Sequence, residues 1–135
     1  MSEVAVDTSV LIAVALSEPE AAHFIKVLES FERRVISAFS VIECSAVLQA
    51  RFGASADAKL TPLLVALDIE VVPLTSAQAG LGRSALTRFG KGRHPAGLNL
   101  GDCCAYALAT ERGVPLLFKG NDFSQTDLQV AREMR

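Results

Sequence analysis

The sequence predicts an α/β protein, a three-layer α/β/α sandwich whose central sheet is mainly parallel and has four to five strands. Short apolar runs alternate with segments of helical periodicity, an order that favours parallel strands joined by right-handed crossovers. The chain has 135 residues, of which half are hydrophobic and 21% charged. This size and balance suit a single domain over 1–135 with a sizeable core.

The first predicted strand organises the rest of the chain. Residues 4–6 are apolar and lead to Asp7, and the helix that follows starts with Thr8 or Ser9 as its N-cap. Further strands are predicted at 33–38, 69–74 and 114–118, and residues 128–131 are a candidate edge strand.

Helices are predicted between these strands from apolar residues spaced three and four apart. Ser40 with Glu43 three residues later has the capping-box spacing, so a cap partner is one interpretation of Glu43. Pro62 interrupts or kinks its helix. The predicted helices are 9–16, 19–31, 41–52, 55–67, 76–90 and 103–112.

Charge and composition exclude several classes of protein. The net charge of −2 predicts no overall affinity for nucleic acids or anionic membranes. The N-terminus has no secretory pattern, and no apolar run is long enough to span a bilayer, so we expect a cytosolic protein. The three cysteines, Cys44, Cys103 and Cys104, have no zinc spacing and are interpreted as reduced thiols in the core.

One segment is basic although the whole chain is not. Between residues 80 and 100 there is no acidic residue, and a Gly-rich loop follows the predicted helix. Such a segment is either a solvated loop or a site for the phosphates of RNA. The candidate RNA-binding residues are Arg83, Arg88, Lys91 and Arg93.

Four acidic residues are predicted to meet at one edge of the sheet. Asp7 and Asp122 follow the first and fourth strands, whereas Glu43 and Asp102 lie in the first turns of helices. In a parallel α/β sheet these positions share the edge at the carboxyl ends of the strands. Each acid alone has a structural explanation, such as pairing with a helix dipole for Asp102.

Carboxylates that share a small site need a cation to offset their repulsion. A cluster of oxygens without Cys or His suits Mg²⁺, or Mn²⁺, and either ion binds phosphate oxygens. With a phosphodiester at the site, the ion can activate water and neutralise the leaving oxygen. The pattern therefore predicts phosphodiester hydrolysis.

These segments resemble the PIN-domain ribonucleases and, within them, the VapC toxins of bacterial and archaeal toxin–antitoxin pairs. The resemblance covers nearly the whole chain and is carried by four segments with family spacing. They are 6–11 (VDTSVL), Glu43 within a helix, 100–109 (LGDCCAYALA) and 115–123 (PLLFKGNDF) with Thr126 and Asp127.

The resemblance implies an endoribonuclease that depends on Mg²⁺ or Mn²⁺ and cuts RNA needed for translation. By position, Asp7 and Asp102 are the main metal ligands, Glu43 binds metal or orients the attacking water, and Asp122 completes the cluster. It also implies a cognate VapB-type antitoxin and a homodimer. The apolar surface of the helices over 10–52 is the predicted contact surface for both partners.

The chain departs from the family after its fourth strand. Many PIN domains place Thr-x-Asp there, whereas those positions are Phe118 and Gly120 in this chain. Asp122 is the preferred fourth acid, and Asn121 and Asp127 are the alternatives. Thr8 and Ser9 are predicted to support the acids by hydrogen bonds.

Other functions are weaker interpretations of the same residues. A receiver domain carries adjacent acids after its first strand, but here Asp7 is followed by Thr8. Haloacid-type phosphatases need Asp-x-Asp-x-Thr, which the chain lacks. The remaining alternative is a PIN-like module that binds RNA or a partner without cutting.

Overall fold

A computed structural model of the chain describes residues 2–134. The strands are β1 (Glu3–Val6), β2 (Arg33–Ser37), β3 (Ile69–Val72) and β4 (Leu116–Leu117). The helices are α1 (Thr8–Ala15), α2 (Ala21–Glu29), α3 (Ala38–Phe52), α4 (Leu60–Ala66), α5 (Ser76–Phe89) and α6 (Leu100–Arg112). Two 3₁₀ helices, Ala54–Lys59 and Phe123–Gln125, complete the described elements.

The four strands form one parallel sheet in the order β3-β2-β1-β4. The chain moves outward from β1 to β3 and then returns to the other side of β1. The strand order therefore reverses at β1, and the crevice outside the carboxyl ends of β1 and β4 is where open α/β sheets bind ligands. Asp7 follows β1 directly at this crevice.

Helices cover both faces of the sheet, as predicted. On one face, Val6 of β1 and Ile36 of β2 pack in a buried cluster with helices α1 to α4. On the other face, Ala5 and Val35 pack with α5 and α6. The alternation of side chains along a strand sends neighbouring residues to opposite layers. The predicted α/β/α sandwich is confirmed.

Helix α6 runs from the carboxyl ends of the strands to the end of the sheet where β1 starts. Its first turn is closed by a capping box between Asn99 and Asp102. Near its last residue, Arg112 donates to Glu3 at the start of β1, with an Nε–Oε1 distance of 2.9 Å. Because both ends are held, Asp102 is placed at the carboxyl edge of the sheet.

Several predicted boundaries are wrong, among them the start of α6, which lies at Leu100 and not at Cys103. Asp7, not Thr8 or Ser9, is the N-cap of α1, because its carboxylate accepts from the Ser9 amide. Helix α3 begins three residues earlier than predicted and is capped by Ser37 instead of Ser40. The tail adds no full edge strand within residues 2–134, only a bridge between Leu116 and Val130.

Pro62 does not kink a helix, because the predicted helix over 55–67 is divided before it. A 3₁₀ helix covers Ala54–Lys59, and α4 then begins at Leu60. Pro62 is the third residue of α4, where a backbone amide has no intrahelical acceptor to lose. None of the helices among residues 2–134 is long and apolar enough to cross a membrane.

Candidate active site

Asp7 is the most buried of the four predicted acids. It is 5% exposed, and its Oδ2 accepts hydrogen bonds from the Ser9 amide at 3.1 Å and the Ser9 hydroxyl at 2.6 Å. Burial raises the pKa of Asp7, the two bonds from Ser9 oppose the rise, and the charge of Glu43 adds to it. A cation bound beside this carboxylate would favour its ionised form and so lower its pKa.

Ser9 also connects Asp7 to the segment after β4. Its hydroxyl oxygen accepts from the backbone amide of Lys119 at 2.9 Å. The Lys119 ammonium group forms ion pairs with Glu18 at 3.0 Å and Glu20 at 2.9 Å. The start of the segment that carries Asp122 is therefore tied both to the first turn of α1 and to the α1–α2 connection.

Glu43 lies one turn into α3 and is not a cap partner. Its Oε1 accepts from the Thr8 hydroxyl at 2.7 Å, and the same hydroxyl lies 3.2 Å from the carbonyl oxygen of Ser40. The capping-box interpretation of Glu43 is wrong because α3 starts at Ala38. Thr8 and Ser9 thus each hydrogen-bond one of the predicted acids.

Asp102 has two roles in the first turn of α6. Its Oδ2 accepts from the Asn99 amide at 3.1 Å, and its own amide donates to the Asn99 side chain at 2.9 Å. Burial raises the pKa of Asp102 to about 6, the Asn99 bond opposes this, and the charges of Asp7, Asp122 and Glu43 add to it. The other three predicted acids therefore all lie close enough to act on Asp102.

Asp122 and Asp127 lie in different surroundings. Asp122 is exposed, and its charge acts on Asp102. Asp127 instead accepts from the Tyr106 hydroxyl at 2.7 Å and pairs with Arg88 at 3.0 Å, and these bonds lower its pKa. The neighbouring Asn121 is exposed, and its carbonyl accepts from Ser124. Of the three alternatives, Asp122 is the one whose charge acts on Asp102.

Among the described residues, the carboxylates do not form a complete metal-binding site. Within residues 2–134, no three acidic, His or Cys side chains lie close enough together to hold one ion. The physical reason is that Asp7 and Asp102 are turned toward the amides they cap, and Glu43 toward Thr8. The donors nevertheless fit a hard divalent cation, because all are carboxylate oxygens. A cation would also offset the burial and the neighbouring negative charges that raise the pKa of Asp7 and of Asp102.

The basic segment is more ordered than the sequence predicts. Residues Gly90 and Leu98 form a bridge that closes the loop between α5 and α6, and His94 packs edge-on against Phe89. The loop ends at Asn99, so it lies at the same edge as Asp102.

The four candidate RNA-binding residues differ in their contacts. Arg88 pairs with Asp127 and stacks 4.6 Å above the centre of the Phe89 ring. Lys91 and Arg93 are exposed, and neither has an acidic partner within 4.0 Å among residues 2–134. Arg83 is exposed on α5. Arg88 thus has a structural partner, whereas Lys91 and Arg93 are available for a phosphate.

Sequence reasoning missed the link that Lys119 makes. Its amide reaches Ser9 and its ammonium reaches Glu18 and Glu20, so it joins β4 to the region around Asp7. The signals available were a lysine directly after the last strand and, far from it in the sequence, two glutamates on either side of Pro19. The sequence did not show that these segments meet.

Comparison with known proteins identifies the family. Residues 4–128 match the PIN domain. The chain is 44% identical over 131 residues to ribonuclease VapC28 of Mycobacterium tuberculosis, an alignment that covers 96% of this chain and 98% of the relative. The chain belongs to the PIN-domain family, among its VapC proteins. The resemblance seen in the sequence is confirmed.

Solved structures show the same fold for this PIN domain. VapC20 of Mycobacterium tuberculosis, a sarcin-ricin loop cleaving toxin, has a TM-score of 0.75 at 16% identity, covering 93% of this chain and 95% of that one. A DNA-bound VapBC from Salmonella typhimurium has a TM-score of 0.71 at 19% identity, with 96% of each chain covered. The relatives of this PIN domain are thus ribonucleases of toxin–antitoxin systems.

Proposed function

We propose that this PIN domain is the toxin of a toxin–antitoxin pair and an endoribonuclease that depends on Mg²⁺ or Mn²⁺. The observation that carries the proposal is the meeting of three acids at the carboxyl edge of the sheet. Asp7 follows β1, the next residue Thr8 donates to Glu43, and the Glu43 carboxylate lies against α6 one residue before Asp102. The family's ribonucleases supply the reaction class, and the donor set supplies the choice of ion.

Asp7, Asp102 and Asp122 are the residues that would hold the ion, with Glu43 beside them. Mg²⁺ or Mn²⁺ at this position would activate water and offset charge on the phosphate and the leaving oxygen. Ser9 orients Asp7 through its hydroxyl, and Thr8 orients Glu43.

Glu43 is the residue proposed to orient the attacking water. Thr8 occupies its Oε1, and no hydrogen bond within residues 2–134 is formed by Oε2. That oxygen can accept a proton from water once the ion is bound, which is the usual role of a general base. Lys91 and Arg93 would bind the flanking phosphates of the RNA.

The biological part of the proposal concerns translation and partners. We expect the RNA target to be one that translation needs, a VapB-type antitoxin to neutralise the protein, and the protein to act as a homodimer. Relatives that are complexes of VapB and VapC support the antitoxin.

The test is cleavage of cellular RNA by purified protein with Mg²⁺, comparing the wild type with Asp7→Asn and Asp102→Asn. Each substitution removes one ionised ligand, so we expect a loss larger than the roughly 10–100-fold that follows removal of an outer-shell partner. Asp68→Asn is the matched control, because the Asp68 side chain is 92% exposed in the turn before β3.

Unchanged cleavage by both active-site variants would contradict the proposal. Binding of RNA by the wild type without any cleavage, in Mg²⁺ or Mn²⁺ and on RNA from several bacteria, would favour the alternative of a non-cutting module.

A further inference from the structure

Gly101, the second residue of α6, lies directly against the carboxylate of Glu43. A Cβ atom at position 101 would overlap the Cδ and both carboxylate oxygens of Glu43, far inside van der Waals contact. The backbone of Gly101 is helical and its φ is not positive, so no unusual conformation requires glycine here. The space taken by Glu43 is therefore the physical reason for glycine at this position.

The bare α-carbon has a consequence for the acidic site. It lets a carboxylate on α3 approach the first turn of α6 while Oε1 still accepts from Thr8 at 2.7 Å. The next residue of that turn is Asp102. The close approach of Glu43 in α3 to the turn of α6 that carries Asp102 thus depends on the absence of a side chain at position 101.

We propose that Gly101 is a positioning residue of the acidic site, because its missing side chain lets the Glu43 carboxylate lie against the first turn of α6 beside Asp102. The role rests on the proposed function, since it is the binding of a divalent cation that needs the two helices to present their carboxylates together.

A methyl group at position 101 should move Glu43 without unfolding the protein. The overlapping atoms belong to the far end of a flexible side chain, which can rotate toward solvent. Alanine is also the better helix former, so α6 itself gains from the substitution. The expected effect is on the metal site and not on the fold.

Gly82 provides a matched control. It lies in α5 and faces the same helix α6, but a Cβ atom there would be 3.5 Å from the carbonyl oxygen of Cys103, an ordinary contact. Gly82→Ala therefore adds the same methyl group against α6 without reaching Glu43.

The experiment is a Mn²⁺ titration, followed by electron paramagnetic resonance, of the wild type, Gly101→Ala, Glu43→Ala, the double variant and Gly82→Ala. We expect Gly101→Ala to weaken Mn²⁺ binding about 10-fold, as loss of an outer-shell partner does. Gly82→Ala should bind as the wild type does. In the Glu43→Ala background, Gly101→Ala should cause no further loss, because the group it displaces is gone.

Each other outcome overturns a defined part of the argument. Equal Mn²⁺ binding by the wild type and Gly101→Ala, or an equal loss in both backgrounds, would overturn the role of Gly101 alone. Absence of Mn²⁺ binding by the wild type would overturn the proposed metal dependence and this role with it. Should Gly101→Ala melt at a lower temperature, adding Glu43→Ala should restore it, and a loss that persisted in the double variant would contradict the proposal.

Discussion

Two of the acids at this site, Asp7 and Asp102, also cap helices. Asp7 is the N-cap of α1, and Asp102 is the third residue of α6, whose side chain accepts from the amide of the N-cap Asn99. Both positions lie where the chain enters a helix at the carboxyl edge of the sheet. Capping also turns their oxygens toward backbone amides. A cation at the site therefore competes for these carboxylate oxygens with the backbone amides of Ser9 and Asn99.

The raised pKa of Asp102 predicts a pH dependence of stability. Because its pKa rises from 3.8 to about 6 in the folded protein, the folded state keeps a proton that the unfolded state releases within this range. The contribution of Asp102 to the free energy of unfolding therefore decreases as the pH rises from about 4 to 6.

Asp102→Asn removes this dependence, because the Asn side chain does not titrate and its oxygen can still accept from Asn99. In urea unfolding without divalent cations, we expect the stability of the variant relative to the wild type to increase from pH 4 to pH 7. A difference that stays constant over this range would show that Asp102 has an ordinary pKa.

At the scale of elements, the start of α3 decides where Glu43 points. The helix begins at Ala38 with Ser37 as its cap, so Glu43 lies beyond the first turn and faces Thr8. Ser40 is then the third residue of the helix and not its cap. Its hydroxyl is buried and, in the part of the chain from 2 to 134, has no hydrogen-bond partner. We therefore expect the Ser37 side chain, but not that of Ser40, to stabilise the protein.

We expect Ser37→Ala to lower the free energy of unfolding by about 1 kcal/mol, because the Phe39 amide loses its acceptor. Ser40→Ala should leave it unchanged or raise it by up to about 1 kcal/mol, since a buried unpaired hydroxyl is removed. Urea unfolding of the two variants measures both effects. A larger loss from Ser40→Ala than from Ser37→Ala would contradict this assignment of the cap.

The loop between α5 and α6 is the element expected to contact RNA. Lys91 and Arg93 are exposed, whereas Arg88 is held by Asp127. Replacing Lys91 and Arg93 by Ala should weaken RNA binding and reduce the slope of log K against log salt by about 1.4, two contacts at about 0.7 each.

Arg88→Ala serves as the comparison for this loop. It removes an ion pair within the protein, so we expect it to lower the melting temperature. We expect it to change the slope of log K against log salt less than the double replacement of Lys91 and Arg93 does. If the double variant kept the slope of the wild type, Lys91 and Arg93 would belong to a solvated loop.

At the scale of the whole molecule, the described surface still carries large apolar side chains. Ile42 and Phe52 of α3 are 69% and 58% exposed, and they belong to the segment predicted to contact partners. Val65 of α4 is 75% exposed outside that segment. Exposed apolar groups of this size are typical of protein interfaces when they cluster.

We expect the protein to be a dimer in light scattering at high concentration and Ile42→Asp to shift it toward the monomer. Val65→Asp is the control, equally exposed and outside the predicted contact segment. A strictly monomeric wild type would contradict the predicted homodimer, and dissociation caused only by Val65→Asp would place the interface on α4.

The sequence by itself determined the layers of this protein and the acids of its site. Apolar periodicity predicts the order of strands and helices, and the parallel arrangement that follows from it brings Asp7, Glu43, Asp102 and Asp122 to one edge. These features depend on local patterns and on a topology rule, which a sequence contains. These patterns did not fix the exact element boundaries: α3 is capped by Ser37 and not by Ser40.

Only the tertiary structure decided which side chains contact one another across elements. The pairing of Asp127 with Arg88, the link from Lys119 to Ser9 and the contact between Glu43 and Gly101 join residues 39, 110 and 58 positions apart in the chain. Such contacts depend on how helices pack and where side chains point, and no local pattern encodes them. They determine which acids remain available for a cation and which are already paired.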